Sequence, residues 1–111
     1  MAFRMTEQAY LVLLALADGP RHGYGVVQAV VTLSDGRVHL GAGTLYGVLD
    51  RLVEAGYARV SGEEVVDGRL RRYYELTDEG GAAATAHTAQ LAALAARARR
   101  ALAARPALGS A

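Results

Sequence analysis

Residues 43–56, Gly-Thr-Leu-Tyr-Gly-Val-Leu-Asp-Arg-Leu-Val-Glu-Ala-Gly, leave the chain few choices. Leu45, Leu49, Leu52 and Val53 recur at helical spacing and form one apolar stripe. Gly56 stands where a left-handed cap residue ends a helix. The opposite face carries Thr44, Gly47, Asp50 and Arg51, with Tyr46 and Val48 on its flanks. Gly47 is the unexpected member, because glycine inside a helix costs roughly 1 kcal/mol relative to alanine. Close approach of another body to the helix surface offsets that cost. A DNA major groove, only about 12 Å wide, makes such a demand. So does a tightly packed neighbouring helix, and this segment alone does not choose between the two.

The next segment adds a hairpin. Tyr57 to Val66 is rich in β-formers, Asp67-Gly68 is a strong two-residue turn signal, and Leu70 to Leu76 returns as a second strand. Arg69, Arg71 and Arg72 follow directly on the turn. Thr77-Asp78 reads as an N-cap opening a long alanine-rich helix. Two helices, a presented third helix, an arginine-tipped ribbon and a further helix make a mostly α fold with a small β-hairpin wing. This is a winged helix-turn-helix with a C-terminal helix. In such folds the third helix enters the major groove, and the wing reaches phosphates or the minor groove.

Four stretches also carry a resemblance. They are Leu16-Ala17-Asp18-Gly19-Pro20-Arg21-His22-Gly23-Tyr24-Gly25, Gly43-Thr44-Leu45-Tyr46, Leu49-Asp50-Arg51-Leu52-Val53-Glu54-Ala55-Gly56, and Asp67-Gly68-Arg69-Leu70-Arg71-Arg72-Tyr73-Tyr74-Glu75-Leu76-Thr77. In order and spacing they resemble the PadR family of bacterial transcriptional regulators, from about Tyr10 to about Gly80. The resemblance implies a homodimeric DNA-binding repressor, often acting on its own operator or neighbouring genes. It also implies that a small-molecule effector commonly relieves repression. One departure is Ala42, where the family often has proline; this bears on the stiffness of the start of the third helix.

The predicted DNA contacts are Tyr24, Thr44, Tyr46, Gly47, Val48, Arg51, Arg69, Arg71 and Arg72. Tyr24 lies near a helix start, where free N–H groups favour an anion. Thr44 and Tyr46 offer hydroxyls, and Val48 is expected to meet a thymine methyl. Arg51 can reach a guanine edge or a phosphate, or pair with Glu54 or Glu75. Arg71 and Arg72 point to opposite faces of a strand, so one of them can pair with Glu63, Glu64 or Glu75. His22 is read chiefly as a turn cap.

The first helix, from Thr6 to about Ala17, is apolar on every face and therefore needs burial all round. A domain this small is expected to cover one side of it, which leaves the other to a partner subunit. In the terminal helix Leu91, Leu94, Ala98, Ala101 and Leu102 approximate a short heptad seam. The expected dimer interface therefore joins Tyr10, Leu13 and Leu14 to Leu91, Leu94, Ala98 and Leu102. Residues 1–77 form the winged unit, 78–105 the dimerisation helix and 106–111 a frayed tail.

Bulk properties narrow the function further. The 111 residues hold no cysteine, which excludes disulfides and thiolate metal sites. His22, His39 and His87 are not spaced as metal ligands, and no nucleophile motif is present. No metal, cofactor or enzymatic activity is expected. The apolar run Ala9 to Ala17 is shorter than the roughly 20 residues of a membrane span, and Met1-Ala2-Phe3-Arg4 lacks a signal-peptide layout, so a cytoplasmic protein is expected. The net charge is only +1, and residues 81–111 hold four arginines and no acid. Charge therefore favours DNA locally, at the wing. The alternative is a winged-helix protein-interaction module without DNA binding, which the carboxylates of Asp50 and Glu54 favour.

Overall fold

Among the described residues, side chains able to accept a backbone N–H set three of the four helix starts. The computed structural model describes residues 3–106. Thr6 caps α1 (Glu7–Ala15) by accepting the Ala9 N–H at 3.1 Å. The Nδ1 of His22 caps α2 (Gly23–Leu33), accepting from Gly25 at 3.2 Å. Thr77 caps α4 (Asp78–Ala104), accepting from Gly80 at 3.0 Å. Each of the two threonine caps contributes about 1 kcal/mol. The exception is α3 (Ala42–Glu54), which starts at Gly41 with no side-chain cap. Its first N–H groups therefore lack the partner that the other helices have.

Asp67 and Gly68 have φ of +51° and +77°, the twisted two-residue turn that suits a right-handed hairpin. The turn joins β2 (Ala58–Val66) to β3 (Arg69–Leu76), with Val66 opposite Arg69 and a bulge between Val60 and Gly62. The sequence reading expected two strands; the sheet has three. The third, β1 (Arg21–His22), pairs antiparallel with β3 opposite Tyr74 and Tyr73, giving the order β1-β3-β2. Two residues are too few to show an alternating pattern. Their effect is to tie the start of α2 to the base of the wing.

In the core, α2, α3 and α4 pack against α1. Leu13, Leu16, Val26, Val30, Leu45, Leu49 and Leu52 are fully buried. Two expectations for α3 change. Val48 is 1% exposed and Val53 is 37% exposed. The buried stripe is Leu45, Val48, Leu49 and Leu52, because position 48 lies within its arc and position 53 beyond its edge. A third correction concerns α1, most of which the chain covers by itself. Leu13 is wholly inside this core and is unavailable to a partner. Tyr10 is held by the chain's own α4, with its hydroxyl 2.6 Å from the Thr88 Oγ1 and its ring edge-on to His87 at 4.8 Å. Leu14 is half-buried.

The last helix leaves the domain. It begins tight against the wing base, where a Cβ at Gly80 would overlap the Tyr57 carbonyl. Of its 27 residues only Gly80 and Ala84 are buried. At 1.5 Å per residue it runs about 40 Å. The radius of gyration is 17.6 Å, against about 13 Å for a compact domain of this length. Leu91, Leu94 and Leu102 are exposed along the overhang. Pro106 is exposed; the rest of the expected tail, 107–111, lies outside the described residues.

Candidate nucleic-acid interface

The outward face of α3 is largely open, with Gly43, Thr44, Asp50 and Glu54 exposed and Gly47 half-buried. Around a helix at 100° per residue, Gly43, Gly47, Asp50 and Glu54 form the line directly opposite the buried stripe. A Cβ on Gly41 or Gly43 would meet nothing within 4 Å, and one on Gly47 would meet only the Arg51 Nη1, at 4.0 Å. Among the described residues no helix packs there, so helix–helix packing within them does not explain Gly47. The first two turns present Gly43, Thr44, Tyr46 and Gly47 without charge. The acids Asp50 and Glu54 follow in the second half.

Beside this face lies a cleft of about 630 Å³ whose lining includes His22, Tyr24, Tyr46, Arg69, Arg71 and Arg72. The fold thus brings together five of the predicted DNA contacts from three separate elements. Tyr24 is 66% and Tyr46 46% exposed, large aromatic surfaces left open to solvent. The Tyr46 hydroxyl rests on Gly23, where a Cβ would lie 2.5 Å from it. A Cβ at this first position of α2 would therefore displace the end of the Tyr46 side chain. Thr44 is exposed on the neighbouring surface. Val48 is the predicted contact that the fold removes, since a core side chain cannot meet a base.

Along β3 the side chains alternate. Arg72 shares the face of Leu70 and the buried Tyr74, and pairs with Glu63 at 3.3 Å. Arg69, Arg71 and Tyr73 share the other face. There the Tyr73 hydroxyl donates to Glu64, and its ring meets His22 edge-on at 5.5 Å. Glu75, an expected partner for Arg51, is taken by Arg59 at 2.6 Å. Among the described residues Arg51, Arg69 and Arg71 form no ion pair.

The turn cap expected at His22 is present, and its ring also lines the cleft. Its cap bond makes Nδ1 an acceptor, so the proton of the neutral ring sits on Nε2. Partial burial, and then the charge of Arg71, hold the imidazole below its ordinary range, with Glu64 pulling the other way. The His-Gly-Tyr word was the available signal, but it reads equally well as a helix start.

The Transcriptional regulator PadR-like family model matches residues 12–86. The chain belongs to this family. Among curated relatives it is 43% identical over 74 residues to the transcriptional regulator Rv3488 of Mycobacterium tuberculosis, covering 67% of this chain and 65% of that protein. It is 51% identical over 49 residues to an uncharacterised 37.1 kDa protein of transposon Tn4556 from Streptomyces fradiae, covering 44% of this chain and 14% of that one. The PadR-like chain thus spans less than two thirds of either relative. Its fold matches a PadR family transcriptional regulator from Eggerthella lenta at a TM-score of 0.71 and 28% identity, covering 88% and 86% of the two chains. It also matches Bacillus subtilis PadR, solved in complex with operator DNA, at a TM-score of 0.67 and 19% identity, covering 77% and 48%.

Proposed function

We propose that this PadR-like regulator binds double-stranded DNA as a homodimer and represses transcription by occupying an operator. The observation that carries the reading is the outward face of α3. Among the described residues nothing but the tip of Arg51 would come within 4 Å of a Cβ on these glycines, and a groove that must admit the whole helix supplies a reason for them. In this reading Gly47 and its neighbours approach the base edges. Thr44, Tyr24, Tyr46 and the Nε2–H of His22 offer donors to phosphate, and Arg69 and Arg71 grip the backbone from the wing. Such contacts set affinity and orientation more than sequence choice. That B. subtilis PadR was solved with operator DNA supports the same use of a similar fold.

The dimer rests on α4. Leu94 is 56% and Leu102 65% exposed on a helix whose second half touches little else. Most helical stability in proteins comes from packing of an apolar face, and the exposed leucines of this overhang have no such packing among the described residues. The half-buried Leu14, with Leu91, Leu94, Ala98 and Leu102, is the surface assigned to the partner. Asp50 and Glu54, both exposed on α3, favour the second reading, a protein-interaction module. An electrophoretic shift at low salt with the DNA upstream of the chain's own gene separates the two. A shifted band that competitor DNA displaces is expected, and no shift with any promoter DNA would put the interaction module ahead.

A further inference from the structure

The wing stands on only one side of α3. Seen down the helix, Tyr46 lies on one flank of the Gly43–Gly47–Asp50–Glu54 line and Arg51 lies on the other, each about 70° from its centre. Tyr46 shares its cleft with the wing. Arg51 lines a different one, of about 610 Å³, together with Phe3, Arg4, Thr6, Glu54 and Tyr57. Phe3 packs edge-on against Tyr57 at 5.2 Å. That contact pins the segment before α1 and brings Arg4 to the same cleft as Arg51.

The charge at this corner is unspent. Arg21, Arg37, Arg59 and Arg72 each have a carboxylate partner, whereas Arg4 and Arg51 have none among the described residues. Glu54 lines the cleft, yet two guanidinium groups face its one carboxylate. A basic residue in the last turn of a helix ordinarily complements the helix dipole. Arg51 does not sit that way. Its Nη1 lies 4.0 Å from where a Gly47 Cβ would be, so the side chain folds back one turn towards the start of α3, away from the terminal carbonyls and along the presented face.

We infer that Arg4 and Arg51 form a second phosphodiester-binding site, which holds the DNA strand on the wall of the major groove opposite the wing. A helix seated in a groove about 12 Å wide has a phosphate strand on either side. The wing arginines serve one strand, and this pair serves the other. The site rests on the proposed seating of α3 in DNA. It assigns Arg51 to the backbone and not to a base edge, and it brings in Arg4, from outside the winged fold proper.

The test uses the full chain and a random-sequence duplex, so no operator need be known. Binding is followed by fluorescence anisotropy between roughly 50 and 200 mM salt, where each phosphate contact contributes about 0.9 to the slope of log K against log salt. Each substitution removes two contacts from the proposed homodimer, so Arg4→Gln and Arg51→Gln are each expected to lower the slope by about 1.8, and the double variant by about 3.6. Arg69→Gln on the wing is the reference. Both side chains are exposed, and circular dichroism checks that the variants fold. If Arg69→Gln flattens the slope while Arg4→Gln and Arg51→Gln leave it unchanged, the second site is wrong and the seating of α3 stands. If Arg51→Gln weakens binding only to a selected sequence, Arg51 reads a base and the assignment fails. A wild-type chain that binds no duplex at low salt removes the seating and this site together.

Discussion

Replacing Gly47 by leucine should raise stability and destroy specific DNA binding, two effects of opposite sign from one side chain. Nothing but the tip of Arg51 lies within 4 Å of a Cβ at this position, so the fold accommodates the new atoms. Leucine is close to the best helix former, and removing an interior glycine gains about 0.8 kcal/mol. In a domain of this size that raises the melting temperature by about 3–6 °C. On DNA the same atoms project from the line meant to lie deepest in the groove. A helix with side chains already measures about 10–12 Å across, so an added isobutyl group holds it away from the base edges. Losing even one or two base contacts at about 1–3 kcal/mol each lowers affinity roughly 100-fold. Random-sequence binding, carried by phosphates, should fall far less. The assay is anisotropy with a duplex selected from a random pool and with an unselected one, beside thermal melting by circular dichroism. A folded Gly47→Leu protein with undiminished affinity for the selected duplex would refute the groove argument. A fall in melting temperature would show that Gly47 is there for packing after all.

Other positions give independent checks. Gly23→Ala should leave the fold intact, because the atom it meets is the mobile end of Tyr46, yet it should swing that hydroxyl away and weaken DNA binding about 5-fold, the value of one hydrogen bond of about 1 kcal/mol; unchanged affinity in anisotropy would remove Tyr46 from the site. Leu94→Glu puts a charge on the overhang of α4 and should shift the chain towards monomer in light scattering at micromolar concentration, whereas a wild-type monomer under those conditions would end the dimer proposal. His22 supplies a pH test. Its ring is held below the ordinary range, so the folded state favours the neutral form. That contribution is complete above the unfolded value of about 6.5 and is lost as pH falls through the folded value. His22→Asn keeps a capping acceptor without the titration, so between about pH 7.5 and 5.5 the wild-type melting temperature should fall relative to the variant. Parallel curves would contradict the assignment.

The elements of this fold were legible where a local rule was strong. Thr77 as a cap, Asp67-Gly68 as a turn and the span of α4 follow from short-range chemistry alone. Residues near a boundary arc were not legible. Val48 and Val53 exchange roles because both sit near the edges of one apolar stripe, and only packing decides which edge is covered. Periodicity alone gives Leu13 to a partner, because the cover that α2, α3 and α4 provide for α1 is a tertiary fact. The strand Arg21–His22 is too short for any pattern and exists because β3 offers it an edge. For the site, the sequence could name Tyr24, Tyr46 and the wing arginines but not their convergence on one cleft. Nor could it show that Glu75 is already paired with Arg59, which leaves Arg51 free of one expected partner.

The central claim is that DNA lies across the start of α2, the first turns of α3 and the wing tip. Hydrogen–deuterium exchange of the full chain with and without a bound duplex tests it most directly. Protection is expected in three separate stretches, around His22 to Gly25, Ala42 to Arg51 and Val66 to Arg72, with the solvent-facing part of α4 beyond Ala84 unchanged by DNA at constant oligomeric state. Protection confined to α4, or binding without any protection in Ala42 to Arg51, would contradict the account.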